Sequence, residues 1–319
     1  MSAGESGPTG TVVLLGPTTS VLPAAALPAL RGAAAVFVSA ELDAAHWGEL
    51  GAAPVGDVPV GAVDGTVVYL TPGMDAYATE LVEAGAGVVR NPDGVALVDA
   101  VAVMDRLRSP GGCPWDAEQD HKSLRQYLVE ETYELLEAIE DGDRGALREE
   151  LGDVLLQVLF HARIAAEDVE PFGVDEVAAD LVRKLVGRHP HVFEGNDPAV
   201  RDAASQEHRW EELKQVEKQR ESSVDGVAGG QPAVALAGKL AQRAVRAGLP
   251  VDLLPDGDGA GVTLFAVAAL AKLAGDDPET ALREVARAFE RRVREAERSA
   301  RAAGVEKPGP EDWRAHWPV

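Results

Sequence analysis

Four carboxylates in two equally spaced pairs are the residues of this sequence best suited to do chemistry. Glu131 and Glu134 are three residues apart, and Glu150 and Asp153 repeat that spacing. Helical residues three apart share one face and lie roughly 5–6 Å from each other. The two pairs are placed symmetrically about Gly142. A helical hairpin that turns there would bring all four acids into one small volume.

Such a cluster predicts a bound cation, because like charges at short range raise each other's pKa and oppose folding. A set of oxygen ligands without Cys or His suits Mg²⁺, or Mn²⁺, better than Zn²⁺. The alternative interpretation is a solvated acidic face, which is what most glutamate runs on helices are. At about 100° per residue, however, Glu131 falls in the middle of an apolar stripe. Asp153 also lies within an apolar run, which favours the metal site.

The hairpin needs two helices, which the apolar periodicity predicts over residues 124–139 and 146–166. Ser123 is the predicted N-cap of the first helix, and Asp141-Gly142-Asp143 is the predicted turn. Apolar residues cover nearly the whole circumference of the second helix, a pattern typical of a buried helix. Further helices are predicted at residues 94–107, 174–186 and 201–221.

The chain as a whole is predicted to be mainly α. Short apolar strands at residues 11–15, 34–39, 66–70 and 87–89 indicate a small α/β domain over residues 1–94, with three or four strands. Strand patterns are almost absent afterwards, so residues 95–221 are predicted to form an all-α helical bundle. Residues 222–232 have the composition of a linker. Residues 233–319 contain predicted helices at 233–247, 262–273 and 278–302.

Charge and composition exclude several classes of partner. Lys and Arg number 30 against 53 Asp and Glu, which gives a net charge of −23. Polymeric nucleic acid is therefore not an expected partner, because its binding surfaces are basic. The single cysteine, Cys113, excludes an intramolecular disulfide framework and fits the reducing cytoplasm. The sequence shows neither a signal peptide nor an apolar run of about 18 residues, so no membrane association is expected.

Four motifs occur in a fixed order between residues 104 and 221: G-C-P-W-D at 112–116, E-E-x-x-E at 130–134, E-x-x-D at 150–153 and R-H-P-H-V-F at 188–193. Together they resemble the MazG-type nucleoside triphosphate pyrophosphohydrolases of the all-α NTP-pyrophosphatase superfamily. The resemblance implies Mg²⁺-dependent hydrolysis of nucleoside triphosphates to nucleoside monophosphate and pyrophosphate, in control of the nucleotide pool, by a homodimer of helical modules. The resemblance also implies that four acids bind the metal: Glu131, Glu134, Glu150 and Asp153. Glu130 is a candidate outer ligand or water-orienting base.

Six further residues are candidate contacts to the nucleotide: Trp115, Lys184, Arg188, His189, Trp210 and Lys214. The three cations would bind phosphates, although each could be an ordinary surface charge. Either tryptophan would stack on the base or pack in the core. The histidine, in a loop next to proline, would contact substrate or have a structural role.

Residues 233–319 resemble the second module of longer family members, through the segments at 264–267 and 289–292. Gly259-Ala260-Gly261-Val262 occupies the position of the E-x-x-D motif, and the preceding carboxylate helix is replaced by a loop at 252–261. We therefore expect a degenerate, catalytically inactive module that serves packing or dimer stability.

Two rival functions would also place glutamates on facing helices. A di-iron carboxylate bundle needs Glu-x-x-His pairs, and no histidine stands three residues after any of these glutamates. A non-catalytic helical dimerisation or regulatory module with a structural cation stays the alternative. Detecting nucleoside monophosphate and pyrophosphate after incubation with nucleoside triphosphates and Mg²⁺ would distinguish it from the enzyme.

Overall fold

A computed structural model describes residues 10–16, 21–56, 58–59, 63, 65–193, 195, 202, 205–206 and 221–318. Contacts divide the chain into two compact units, Met1–Gly187 and Arg188–Val319. Most of the described residues are helical, and a small parallel sheet precedes the helices. The predicted mainly-α fold class is thereby confirmed, whereas the predicted domain boundaries stay predictions.

The amino-terminal sheet has five parallel strands in the order β3-β2-β4-β1-β5. The strands are β1 Gly10–Leu14, β2 Ala35–Val38, β3 Ala53–Pro54, β4 Val67–Thr71 and β5 Gly87–Arg90. Helices α1 (Leu27–Gly32) and α2 (Ala76–Glu83) lie between strands in the chain. All residues of β4 are buried, as expected of a central parallel strand whose sequence is a continuous apolar run. Four strands match the predicted segments, and the two-residue β3 is an addition.

Five helices complete the first unit: α3 Ala96–Arg108, α4 Pro114–Glu118, α5 Arg125–Asp141, α6 Arg144–Ala165 and α7 Val174–Arg188, whose last residue begins the second unit. Both α3 and α5 pack against α6. A small core holds them together: Met104, Leu124, Leu159, Phe160 and Ile164. The predicted helices at 94–107, 124–139, 146–166 and 174–186 are therefore confirmed, with ends shifted by about two residues or less. The predicted N-cap Ser123 is wrong, because Leu124 occupies the N-cap position of α5 and no side chain caps this helix.

The turn between α5 and α6 follows from its sequence. Gly142 adopts a left-handed conformation with φ 67°, and its N–H donates to the carbonyl of Ile139. Asp143 then caps α6, because its Oδ1 accepts from the N–H groups of Gly145 and Ala146 at 2.8 and 3.1 Å. This turn folds α6 back against α5.

The prediction that α6 is a buried helix is wrong for the single chain. Leu151 and Val158, seven residues apart on one face, are 53% and 42% exposed, and Leu156 is also exposed. The reason is that α5 and α3 cover only part of the circumference of α6. The sequence pattern specifies an apolar surface but does not specify what covers it.

The second unit contains α8 Pro190–Phe193, α9 Ala233–Arg246, α10 Ala260–Ala274, α11 Pro278–Ala302 and α12 Pro310–His316. The helices predicted at 233–247, 262–273 and 278–302 are confirmed. Most of the helix predicted at 201–221 lies outside the described residues. Within the described part of the chain, no helix is both long and apolar enough to cross a membrane.

Candidate active site

The seam between α5 and α6 brings three carboxylates together. Glu131, Glu150 and Asp153 each offer one oxygen, and these oxygens lie within 4.8 Å of one another. All three residues are partly buried. The hairpin therefore unites acids that are up to 22 residues apart in sequence, as the symmetric spacing about Gly142 predicts.

The electrostatics of this cluster are unfavourable as it stands. Desolvation raises the pKa of Glu131, and the neighbouring Asp153 and Glu134 raise that pKa further. Desolvation also raises the pKa of Glu150, with added repulsion from Glu134 and Asp153. A raised carboxyl pKa means that the folded protein disfavours the charged form.

One oxygen of the cluster is buried without a partner. Oε2 of Glu150 is shielded from solvent and accepts no hydrogen bond among the described residues. Burying an unsatisfied acceptor is unfavourable, and more so when the group is charged. A divalent cation would supply the missing partner and neutralise the repulsion. Oxygen-only ligands fit a hard cation, and Glu131, Glu150 and Asp153 are the residues that would hold it.

The two other predicted acids lie beside the cluster. Glu134 is exposed and outside the three-residue group, although its charge acts on both Glu131 and Glu150. Glu130 is exposed, and its charge contributes to the raised pKa of Glu131. The ligand role of Glu134 and the outer role of Glu130 stay predictions.

Trp115 is half exposed and makes two edge-to-face contacts. Its ring centroid lies 6.0 Å from that of Tyr127 on α5 and 6.3 Å from that of Phe160 on α6. Arg108 fixes the segment that carries Trp115, because its Nη1 donates to the carbonyls of Asp116 and Gln119 at 2.6 and 3.0 Å. Part of Trp115 thus packs, and part remains available for a ligand.

The other candidate contacts have the following positions. Lys184 is exposed on α7, and Arg188 is the last residue of that helix, its carbonyl accepting from Gln206 at 3.2 Å. The ring centroid of His189 lies 5.7 Å from that of His191. Trp210 and Lys214 lie outside the described residues. Contacts of these residues with a nucleotide stay predictions.

The structure adds residues that sequence reasoning did not select. Gln157, one turn after Asp153 on α6, is buried, and its Oε1 has no hydrogen-bond partner among the described residues. Its position four residues after Asp153 was the available signal. His121 and His161 stack with Nδ1 atoms 2.7 Å apart, and burial together with His121 lowers the pKa of His161. No local pattern links two histidines 40 residues apart.

Two stretches of this chain resemble domains of known proteins. The MazG nucleotide pyrophosphohydrolase domain matches residues 119–193, and the MazG N-terminal domain matches residues 10–89. A nucleoside triphosphate pyrophosphohydrolase of Mycobacterium tuberculosis is 44% identical over 268 residues, covering 78% of this chain and 77% of that protein. One from Escherichia coli K12 is 35% identical over 239 residues, covering 66% of this chain and 90% of that protein. With its carboxylate hairpin and these relatives, the chain belongs to the MazG family of nucleotide pyrophosphohydrolases.

Proposed function

We propose that this protein uses Mg²⁺ to hydrolyse nucleoside triphosphates to nucleoside monophosphate and pyrophosphate, and so controls or cleans the nucleotide pool. The observation that carries the proposal is the seam of three carboxylates with the unpartnered Oε2 of Glu150. The relatives from M. tuberculosis and E. coli, both named nucleoside triphosphate pyrophosphohydrolases, support the same reaction.

The acids of the hairpin have different roles in the proposed reaction. Glu131, Glu150 and Asp153 would hold the cation, and Glu134 would add charge at the edge of the group. A bound Mg²⁺ would neutralise phosphate charge and lower the pKa of a water molecule. Glu130 orients the attacking water and accepts its proton. The α–β anhydride bond breaks, the oxygen of water ends on one of the two products, and pyrophosphate leaves.

The remaining candidates bind the nucleotide outside the metal cluster. Lys184, Arg188 and Lys214 compensate phosphate charge, which is needed because the protein itself carries a net charge of −23. Trp115 or Trp210 stacks on the base. The exposed half of Trp115 supports its assignment. His189 is the remaining candidate contact.

The exposed apolar faces of the hairpin support a homodimer. Val129 and Leu136 are exposed and share one face of α5, while Leu151 and Val158 are exposed on one face of α6. Apolar patches of this kind mark protein contacts. Light scattering coupled to gel filtration should give twice the chain mass, and Leu151→Glu should shift the protein toward the monomer. A monomeric wild type at micromolar concentration would contradict this part of the proposal.

The reaction is tested by product analysis. Purified protein incubated with each common nucleoside triphosphate and Mg²⁺ should yield equal amounts of monophosphate and pyrophosphate, and EDTA should stop the reaction. Diphosphate with orthophosphate would indicate a different nucleotide hydrolase. Absence of turnover with every nucleotide would favour the alternative, a non-catalytic dimerisation or regulatory module with a structural cation.

A further inference from the structure

We propose that Gln157 recognises the sugar of the bound nucleotide, its side-chain carbonyl accepting a hydrogen bond from a ribose hydroxyl. The inference rests on the proposed function, because it concerns how the same seam holds its substrate. It adds a neutral polar side chain to the acids of the α5–α6 seam.

The first observation is the burial of an unpaired amide. Gln157 is 4% exposed, and Oε1 is shielded from solvent with no hydrogen-bond partner among the described residues. Buried polar side chains are nearly always hydrogen-bonded, because leaving one unpaired is unfavourable. An apolar side chain of the same length would fill this position without that penalty. The amide is therefore explained best by a partner that arrives with the ligand.

The second observation is the direction of Gln157 on α6. At about 100° per residue, Gln157 lies between Asp153 and Glu150 around the helix axis. Those two carboxylates face α5, because one oxygen of each lies within 4.8 Å of an oxygen of Glu131 across the seam. Gln157 thus belongs to the same face, about 6 Å further along the axis.

The third observation is the order of chemical groups along the seam. The carboxylates come first and the neutral amide of Gln157 follows. Trp115 then contacts Phe160, about one turn after Gln157 on α6, and Tyr127, about one turn before Glu131 on α5. The order matches a nucleoside triphosphate, whose phosphates and metal are followed by the sugar and then by the base. Oε1 can only accept a hydrogen bond. Phosphate oxygens also accept, so the sugar hydroxyls are the suitable donors.

The test is a thermodynamic cycle that removes the Gln157 amide and the ribose hydroxyl separately and together. The ligands are α,β-methylene analogues of the nucleotide that the wild-type protein hydrolyses fastest, with the full ribose or lacking the 2′- or the 3′-hydroxyl. Binding is measured by calorimetry in Mg²⁺ for the wild type, for Gln157→Met and for the matched control Gln126→Met, an exposed residue in the first turn of α5. Because these analogues resist cleavage at the α–β bond, binding is measured separately from turnover.

For the wild type, removing one of the two hydroxyls should weaken binding roughly 5- to 10-fold, the usual effect of one lost hydrogen bond. Gln157→Met should bind the full ribonucleotide weaker by a similar factor and lose nothing further when that hydroxyl is absent. In the absence of ligand, Gln157→Met should also melt at a higher temperature than the wild type, because the unpaired amide is gone. Gln126→Met should match the wild type in both respects.

Several results would overturn the proposal. Equal hydroxyl dependence in wild type and Gln157→Met would show that the amide does not contact the sugar. Weaker binding of Mn²⁺ alone to Gln157→Met, with the hydroxyl dependence intact, would assign Gln157 to the metal. Higher thermal stability with unchanged nucleotide binding would make Gln157 a packing residue.

If Gln157→Met fails to fold, Gln157→Asn, which shortens the side chain by one methylene, must lose the hydroxyl dependence. A wild type that hydrolyses no nucleotide would refute the proposed function and this inference together.

Discussion

The two principal helix pairs of the protein have seams of opposite chemistry. Between α5 and α6 lie Glu131, Glu150 and Asp153, which repel one another. Between α9 and α10 lie small residues such as Gly238 and Ala268. A Cβ atom added to Gly238 would stand 3.3 Å from the carbonyl oxygen of Ala268, so these two helices approach closely.

The difference indicates what each pair is for. A seam of small apolar residues stabilises the fold through close packing and needs no ligand. A seam of carboxylates opposes folding until a cation binds, so its retention indicates function. This contrast supports the proposal that the carboxyl-terminal helices are a degenerate module that serves packing.

Removing one acid from the α5–α6 seam gives the largest expected effect. Asp153→Asn should lower the rate of nucleotide hydrolysis at least about 100-fold, because the cation loses a charged ligand at the centre of the reaction. Circular dichroism should show an unchanged helical content. Glu137→Gln, an exposed residue elsewhere on α5, is the matched control and should keep the wild-type rate. Wild-type turnover in Asp153→Asn would show that the seam is not the active site.

The pH dependence of stability tests the repulsion directly. Glu131 and Glu150 have raised pKa values in the folded protein, so the fold binds more protons than the unfolded chain. Their contribution to stability is fully present below the unfolded pKa of about 4.3 and is lost as pH rises through the raised folded values. In EDTA, the melting temperature of Glu150→Gln minus that of the wild type should therefore increase from pH 4 to pH 7.

At pH 7, saturating Mg²⁺ should reverse the difference in melting temperature between Glu150→Gln and the wild type. A ligand at 100 times its dissociation constant stabilises the folded state by about 2.7 kcal/mol. The wild type should gain more from Mg²⁺ than Glu150→Gln does. Equal gains would mean that the cation binds elsewhere. A flat pH profile in EDTA would mean that the acids do not repel one another in the folded protein.

Much of this contrast could be predicted from the sequence, because it depends on short-range patterns. The end of α5 and the start of α6 follow from the turn at Gly142 and Asp143, where one residue must accept a positive φ and the next must cap a helix. The spacing of Glu131 and Asp153 about that turn predicted their meeting in the hairpin. Local rules determine each of these features, and the structure agrees with them.

Other features depend on contacts that a linear pattern does not contain. The strand β3 has two residues and no apolar alternation. The exposure of Leu151 depends on what covers α6, which its own sequence does not state. Gln157 stands out only once the burial of its carbonyl oxygen is known. The pair of His121 with His161 stands out only once α6 is placed beside the loop that precedes α5.

Enlarging a residue in the α9–α10 seam should reduce stability without requiring a metal. Gly238→Val should lower the free energy of unfolding by about 1–3 kcal/mol, because the added atoms meet Lys272, Pro278 and the α10 backbone. Gly261→Val is the matched control, since a Cβ atom there has no neighbour within 4 Å. Thermal unfolding in EDTA and in Mg²⁺ should show the same loss. If Mg²⁺ restored the stability lost in Gly238→Val, the two seams would not differ in their dependence on a cation.

The glycines that end α5 and α10 give the smallest and most specific effect. Gly142 has φ 67°, within the left-handed region that Asn also tolerates, whereas Gly275 has φ 104°, outside it. Gly142→Ala should cost about 1 kcal/mol of unfolding free energy, and Gly142→Asn should recover part of that loss. At position 275 the free energy of unfolding should rise less on going from the Ala variant to the Asn variant, because Asn is not favoured over Ala at a φ of 104°. Urea denaturation of the four variants measures this, and equal recovery at both positions would show that turn conformation does not distinguish the hairpins.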